Sequence, residues 1–139
     1  MKTVVLVGGC FDLLHFGHIS FLKSAKALGN YLVVALESDE NVRRMKGENR
    51  PIHAQEKRKE MLESLSVVDE VVCLPAMTTD EEYRTLVTGI RPAVIAVTEG
   101  DPILDKKKAH ADTVGAKLVV IPKIRTPSTS QLAKLLELE

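Results

Sequence analysis

A short segment near the amino terminus combines glycines with two histidines, in the order Gly8-Gly9-Cys10-Phe11-Asp12-Leu13-Leu14-His15-Phe16-Gly17-His18. Glycine lets backbone N–H groups approach an anion closely, and a helix beginning near Gly17 would direct further unpaired N–H groups to the same point. His15 and His18 can add hydrogen-bond donors to phosphate oxygens, in a protonation state or tautomer that the sequence leaves open. The segment therefore predicts a phosphate site.

Two other interpretations of this segment are open. A glycine turn followed by a capped helix would leave His15 and His18 as ordinary surface residues. Together with Asp12 they could also approach one metal ion, but no other Cys, His or acidic ligand lies at a usable spacing, so we predict no metal held by the protein. The dinucleotide fingerprint G-x-G-x-x-G is absent, which argues against a hydride-transferring enzyme.

Cationic residues follow in two further segments. Arg43, Arg44 and Lys46 fall in a stretch that we predict to be a basic loop, which is either solvated or a clamp on phosphates. Arg58 shares the apolar stripe of a helix predicted over Gln55–Leu65, where a charge needs a partner. That partner is either a carboxylate or a phosphate held by the planar guanidinium.

Two later loops carry further candidates. Gly100 and Asp101 follow the fourth predicted strand and make a plausible wall for a ligand crevice, whereas Lys106–Lys108 fit a solvated helix face. After the fifth strand, hydroxyls at the start of a last helix suit phosphate oxygens. That loop contributes Lys123, Ser128, Thr129 and Ser130.

Five apolar runs predict the strands that position these loops: Thr3–Val7, Tyr31–Leu36, Glu70–Leu74, Ala93–Val97 and Lys117–Ile121. They are continuous rather than alternating, as in parallel strands buried on both faces, and segments with helical spacing separate them. We predict one domain over residues 1–139, an α/β Rossmann-like, doubly wound parallel five-stranded sheet in the order 3-2-1-4-5 with helices on both faces. Ligands bind such sheets where the winding reverses, outside the carboxyl ends of the strands.

Composition narrows the class of protein. The chain has 139 residues and a formal net charge of zero, so it lacks the basic excess of a dedicated nucleic-acid-binding protein. Its two cysteines are too few for a disulfide framework, which favours a reduced, cytoplasmic setting. No stretch approaches the roughly 20 apolar residues of a membrane span, so we expect no membrane partner.

The His-x-Gly-His pattern resembles the nucleotidyltransferase superfamily with the HxGH motif. From Val5 to Leu132 the chain looks most like the nucleotidyltransferase domain of ADP-heptose synthase, the lipopolysaccharide-core family. The matching stretches are Gly9–His15, Ser38-Asp39, Arg43–Gly47, Arg50-Pro51, Val68-Asp69 and Gly100-Asp101. Glycerol-3-phosphate cytidylyltransferase and archaeal FAD synthase are similar relatives.

The resemblance implies in-line attack by an acceptor phosphate on the α-phosphorus of ATP or CTP, with Mg²⁺ on the nucleotide phosphates and pyrophosphate as the product. It implies that His15 and His18 contact the triphosphate, that Lys46 and Arg58 are phosphate ligands, and that Thr129 and Ser130 hold the β- and γ-phosphates. Gly8, Gly9, Cys10, Phe11, Gly17 and Asp101 would shape the nucleotide pocket.

Several alternatives stay open beside this interpretation. The acceptor could be a sugar or polyol phosphate such as a heptose 1-phosphate, glycerol 3-phosphate or FMN. Lys123 stands where cytidylyltransferases usually have Arg, so we expect ATP to be preferred to CTP. A nucleotide sensor without turnover and a structural partner protein are the rival classes. Since related small nucleotidyltransferases pair, we also expect a homodimer.

Overall fold

A parallel sheet forms the centre of the molecule in the computed structural model, which describes residues 1–124 and residue 134. Its strands are β1 (Val4–Gly9), β2 (Tyr31–Leu36), β3 (Glu70–Cys73), β4 (Val94–Thr98) and β5 (Lys117–Ile121). The helices that the structure describes are α1 (Phe16–Lys26), α2 (Asp39–Lys46), α3 (Gln55–Glu63), α4 (Asp80–Ile90) and α5 (Leu104–Val114).

The strands lie in the order β3-β2-β1-β4-β5, and every neighbouring pair is parallel. This confirms the predicted fold class and strand order. Strand β1 is central, paired with β2 from Val4–Tyr31 to Gly9–Leu36 and with β4 on its other side. The winding reverses between β1 and β4, so the loops that follow these two strands meet at one edge of the sheet.

Apolar side chains pack on both faces of the sheet, because successive residues of a strand point to opposite faces. In β2, Leu32, Val34 and Leu36 join one cluster, whereas Val33 and Ala35 join the other. The first cluster includes Leu22 and Ala25 of α1 and Leu62 of α3, and the second includes Val87 of α4 and Ala111 of α5. This two-sided burial explains the continuous apolar runs of the sequence.

The segment after β2 differs from its prediction, because residues expected to form a basic loop form helix α2. Ser38 caps this helix by accepting a hydrogen bond from the N–H of Asn41 at 3.1 Å. Acidic residues occupy its first turn, and Arg43, Arg44 and Lys46 occupy its last turn, which is the favourable arrangement for the helix dipole. The helix gives Lys46 a fixed place at the edge of the sheet.

The last helix predicted from the sequence, with Ser128, Thr129 and Ser130 at its start, lies outside the described residues. None of the helices that the structure does describe is long and apolar enough to cross a membrane.

Candidate active site

A cavity of about 980 Å³ lies at the carboxyl edge of the sheet, where the winding reverses. It brings together loops that are far apart in the sequence, as the strand order requires. Of the residues predicted to form the site, the ones that line this cavity are Gly8, Gly9, Cys10, Phe11, His15, His18, Lys46, Gly100, Asp101 and Lys123. Gly17 and Arg58 are described by the structure but are not among its lining residues.

His15 and His18 form the amino-terminal cap of α1. The N–H of Gly17 donates to Nδ1 of His15 at 3.1 Å, and the N–H of His15 donates to Nδ1 of His18 at 3.2 Å. The two bonds make a reciprocal capping box, with imidazoles in the positions that Ser or Thr and Glu or Gln usually occupy. We predicted that the N–H groups near Gly17 would face a phosphate. In the structure, the N–H of Gly17 donates to His15 within the cap instead.

The cap fixes the tautomer of both histidines, which the sequence could not do. An Nδ1 atom that accepts a hydrogen bond carries no proton, so each neutral ring carries its proton on Nε2. Burial, together with the charges of His15 and Lys46, lowers the pKa of His18 to about 4, and burial also lowers the pKa of His15. Both rings are therefore neutral near pH 7, and each has an Nε2–H group to donate.

The two imidazoles are held side by side. Their ring centroids are 3.9 Å apart with the planes 27° from parallel, and the ring of Phe11 lies 5.5 Å from that of His18. Phe11 and Leu13 have positive φ angles of 47° and 55°, which are uncommon for residues with a side chain. A Cβ atom on Gly9 would stand 2.9 Å from the Phe11 ring, so the turn needs glycine there.

Asp12 ties this loop to the segment that precedes α3. Its carboxylate accepts hydrogen bonds from Nε of Arg50 at 2.8 Å and from the backbone N–H groups of Ile52 and His53 at 2.6 and 3.0 Å. Burial acts to raise the pKa of Asp12, but these donors outweigh burial and leave the pKa below its ordinary value. Because Asp12 is buried and occupied in this way, it is not placed to join His15 and His18 around a metal ion.

Arg58 has different partners from the phosphate that the resemblance implies. Its guanidinium donates to the carbonyl oxygens of His53 and Cys10 at 2.9 and 2.8 Å, and to Oδ1 of Asp39 at 2.7 Å. The side chain has no exposed surface. This arrangement corresponds to the carboxylate-paired alternative, and it makes Arg58 a positioning residue that holds the glycine-containing loop against α2 and α3.

Charges around Cys10 show which groups share the inner part of the site. Burial raises the pKa of the Cys10 thiol, the nearby Lys46 acts to lower it, and the carboxylate of Glu37 acts to raise it. Lys46 lines the same cavity as this loop, so its positive charge belongs to that cavity. The predicted phosphate contact of Lys46 is consistent with this place and stays a prediction.

The loop after β4 forms another wall of the cavity. Asp101 accepts from the N–H of Ile103 at 2.9 Å and pairs with Lys107 at 2.6 Å, which fixes the entry to α5. Lys106 and Lys108 are exposed, as predicted for a solvated helix face, and Lys106 and Lys107 also line the cavity. The N–H of Lys123 donates to Oε1 of Glu99 at 3.3 Å.

Sequence reasoning missed a second polar group in the cavity, formed by Glu37, Asn41 and Tyr83. These side chains contact one another although Tyr83 lies 46 positions after Glu37. The available signal was the place of Glu37, a polar residue directly after a buried strand, at the edge where parallel-sheet proteins bind ligands.

The fold and the site together define a doubly wound α/β protein with a cavity at the carboxyl edge of its parallel sheet, and comparison with known families gives the class. The chain belongs to the cytidylyltransferase-like family, whose model matches residues 6–133. This confirms the predicted membership of the nucleotidyltransferase superfamily.

Individual relatives give a more specific comparison than the family model does. The chain is 36% identical over 136 residues to the bifunctional protein HldE of Coxiella burnetii, covering 96% of this chain and 27% of that protein. It is 52% identical over 85 residues to the HldE of Campylobacter fetus subsp. fetus, covering 61% of this chain and 19% of that protein. The chain thus spans about a fifth to a quarter of the length of these curated relatives.

A solved structure shares the fold. The crystal structure of the lipopolysaccharide core biosynthesis protein from Thermoplasma volcanium GSS1 matches with a TM-score of 0.72 and 24% identity, covering 91% of this chain and 99% of that one.

Proposed function

We propose that this protein transfers a nucleoside monophosphate from ATP or CTP to a phosphorylated small molecule and releases pyrophosphate. One observation carries the proposal: two stacked histidines line the same cavity as the glycine-containing loop and Lys46. Membership of the cytidylyltransferase-like family supports the class of reaction.

In the proposed reaction, an oxygen of the acceptor phosphate attacks the α-phosphorus of the nucleotide. A new P–O bond forms there, the bond between the α-phosphorus and its bridging oxygen breaks, and pyrophosphate leaves with the electron pair. Since the second pKa of a phosphate monoester is about 6, the acceptor is already ionised at pH 7 and needs no general base. Catalysis then consists of positioning and charge stabilisation.

The neutral histidines suit that task. His15 and His18 donate Nε2–H groups to phosphate oxygens and accept no proton, because both Nδ1 atoms are occupied by the cap. Lys46 adds a positive charge that balances the charge building up on the leaving group. Preorganised donors of this kind stabilise a transition state without any rearrangement during the reaction.

The finer parts of the proposal concern the substrates. We infer a sugar or polyol phosphate similar to heptose 1-phosphate as the acceptor, because the HldE proteins and a lipopolysaccharide core biosynthesis protein are among the relatives. Mg²⁺ would arrive on the nucleotide phosphates, since the described residues contain no group of three His, Cys, Asp or Glu side chains placed to hold a metal. No step above depends on it.

Pyrophosphate release tests the proposal. ATP and CTP are each combined with a heptose phosphate, glycerol 3-phosphate, FMN and phosphocholine, and nucleotide binding is measured beside turnover by isothermal titration. Release with at least one pair is expected. Tight nucleotide binding without release under any combination would favour a sensor, and no nucleotide binding would favour a structural protein.

His18→Ala then tests the assigned site. The variant should lower kcat by about 10²-fold or more, as loss of one preorganised donor does. His53→Ala is the matched control, since His53 is not among the described residues that line the cavity. Near-normal turnover in folded His18→Ala protein would refute the role of this histidine.

A further inference from the structure

Glu37, Asn41 and Tyr83, here called the Glu37 cluster, form a polar wall that the proposed nucleotide chemistry does not use. Glu37 directly follows β2, Asn41 lies in the first turn of α2, and Tyr83 lies in α4. All three line the cavity that also contains the histidines. At about 980 Å³ this cavity is at the upper end of the usual range of about 300–1,000 Å³ for small-molecule sites, which leaves room for two ligands.

The carboxylate of Glu37 is held in one orientation. The Tyr83 hydroxyl donates to both Oε1 and Oε2 at 3.0 Å, and Nδ2 of Asn41 donates to Oε1 at 3.1 Å. Asn41 is itself fixed, because the same Nδ2 donates to the carbonyl oxygen of Met77 at 3.0 Å. Burial and the neighbouring carboxylate raise the pKa of Tyr83, so its hydroxyl keeps the proton that it donates.

This geometry leaves hydrogen-bonding capacity on Glu37, a residue that lines the cavity. An ionised carboxylate offers about four acceptor positions, and within the described residues Oε2 of Glu37 accepts only a shared bond from Tyr83. A carboxylate has no hydrogen to donate and repels a phosphate, so a phosphate does not fit against Oε2 of Glu37 itself. The guanidinium of Arg44, which donates to Oδ1 of Asn41 and lines the same cavity, supplies positive charge beside the cluster. A hydroxyl group supplies the donor that Oε2 lacks.

We propose that Glu37, positioned by Tyr83 and Asn41, binds hydroxyl groups of the acceptor and so selects polyol and sugar phosphates over acceptors that lack hydroxyls. The inference rests on the proposed function for the presence of an acceptor phosphate. It assigns the discrimination between acceptors to a named carboxylate at the end of β2.

Binding is measured first, without turnover, because that separates this inference from the proposed reaction. Isothermal titration in the presence of a non-hydrolysable ATP or CTP analogue compares glycerol 3-phosphate with propyl phosphate, which lacks only the two hydroxyls. A hexose 1-phosphate and cyclohexyl phosphate form a second pair. Wild-type protein should bind the hydroxylated member of a pair about ten- to a hundredfold more tightly, as for a hydrogen bond to a charged group.

Glu37→Gln keeps the size of the side chain and removes its charge, and Tyr83→Phe removes the hydroxyl that orients it. Both variants should lose most of the discrimination while binding propyl phosphate as wild type does. Glu40→Gln is the matched control, because Glu40 is an exposed carboxylate in the first turn of α2, close to Glu37 in the sequence. It should leave both affinities unchanged.

Each result of these titrations either supports the inference or overturns it. Equal affinity for the two members of each pair in wild-type protein, or no binding of either, would overturn the inference. So would an equal loss for both members in Glu37→Gln, which would indicate a structural role for the cluster. Selective binding that Glu37→Gln abolishes, without any pyrophosphate release from wild type, would support the inference and overturn the proposed function.

Discussion

The pKa of His18 makes the stability of the chain depend on pH in a direction that can be worked out. In the unfolded chain this imidazole takes up a proton near its ordinary pKa of 6.5, whereas the folded chain resists protonation until about pH 4. Between these values the unfolded state binds more protons, so acid favours unfolding. Stability is therefore expected to fall as the pH drops from about 6.5 towards 4.

The size of the effect follows from the same two values. Each pKa unit corresponds to about 1.36 kcal/mol, so the full difference amounts to about 3 kcal/mol at pH 4 and below. At pH 5, where the unfolded imidazole is almost fully charged and the folded one is not, the loss is about 2 kcal/mol. Burial of the ring is the largest cause, followed by the charges of His15 and Lys46.

Urea unfolding at pH 7.5 and pH 5.0 measures this, with His18→Gln as the reference protein. Glutamine at this position can still accept the N–H of His15, so the cap is kept, but it does not titrate. The stability advantage of wild type over His18→Gln should shrink by about 2 kcal/mol between the two pH values. An advantage that does not change with pH would refute the argument, as would an NMR titration showing a proton on Nδ1 of neutral His18.

Three further predictions concern other parts of the chain. Arg58→Ala should lower the free energy of unfolding by about 3 kcal/mol, because it removes the donor to the carbonyl oxygens of His53 and Cys10 and the charged partner of Asp39. Arg58→Ala should also reduce turnover. The control, Lys57→Ala at an exposed position, should change neither stability nor turnover. Equal effects of the two variants in unfolding and turnover assays would contradict the prediction. Light scattering should show a homodimer, since β3 (Glu70–Cys73) lies at an edge of the sheet, and a mass near 15.3 kDa at micromolar concentration would count against it. The resemblance to cytidylyltransferases implies an arginine where this chain has Lys123, so kcat/KM should favour ATP over CTP with a single working acceptor, and a clear advantage for CTP would reverse that assignment.

The sheet could be predicted because its inner strands, β1, β2 and β4, are largely buried on both sides. Such strands need apolar residues at every position, and the predicted bounds of β2 and β5 are the observed ones. Helix α2 was harder to predict, because its buried residues are only Asn41 and Val42 and the rest of it is charged apart from the exposed Met45. The sequence features that indicate this helix are a serine at the N-cap, acidic residues in the first turn and basic residues in the last turn.

For the candidate site, the sequence predicts which residues take part better than it predicts the contacts that they make. That Arg58 is buried followed from helical spacing, but its partners lie 5, 19 and 48 positions away and depend on how three loops fold together. No local sequence pattern predicts the contact between Glu37 and Tyr83 either. The tautomers of His15 and His18 depend on two backbone N–H groups, which only the geometry of the turn directs at Nδ1.

The capping box of α1 has a consequence for how this motif persists over evolution. His15 and His18 start the helix as well as lining the cavity, but Ser or Thr and Glu or Gln usually fill those capping positions, so selection for a folded chain alone does not require histidine at either. A descendant that lost its reaction would be free to replace the pair by these ordinary capping residues and still keep the helix. Inactive members of such a lineage would be recognised by an intact capping box without the two histidines.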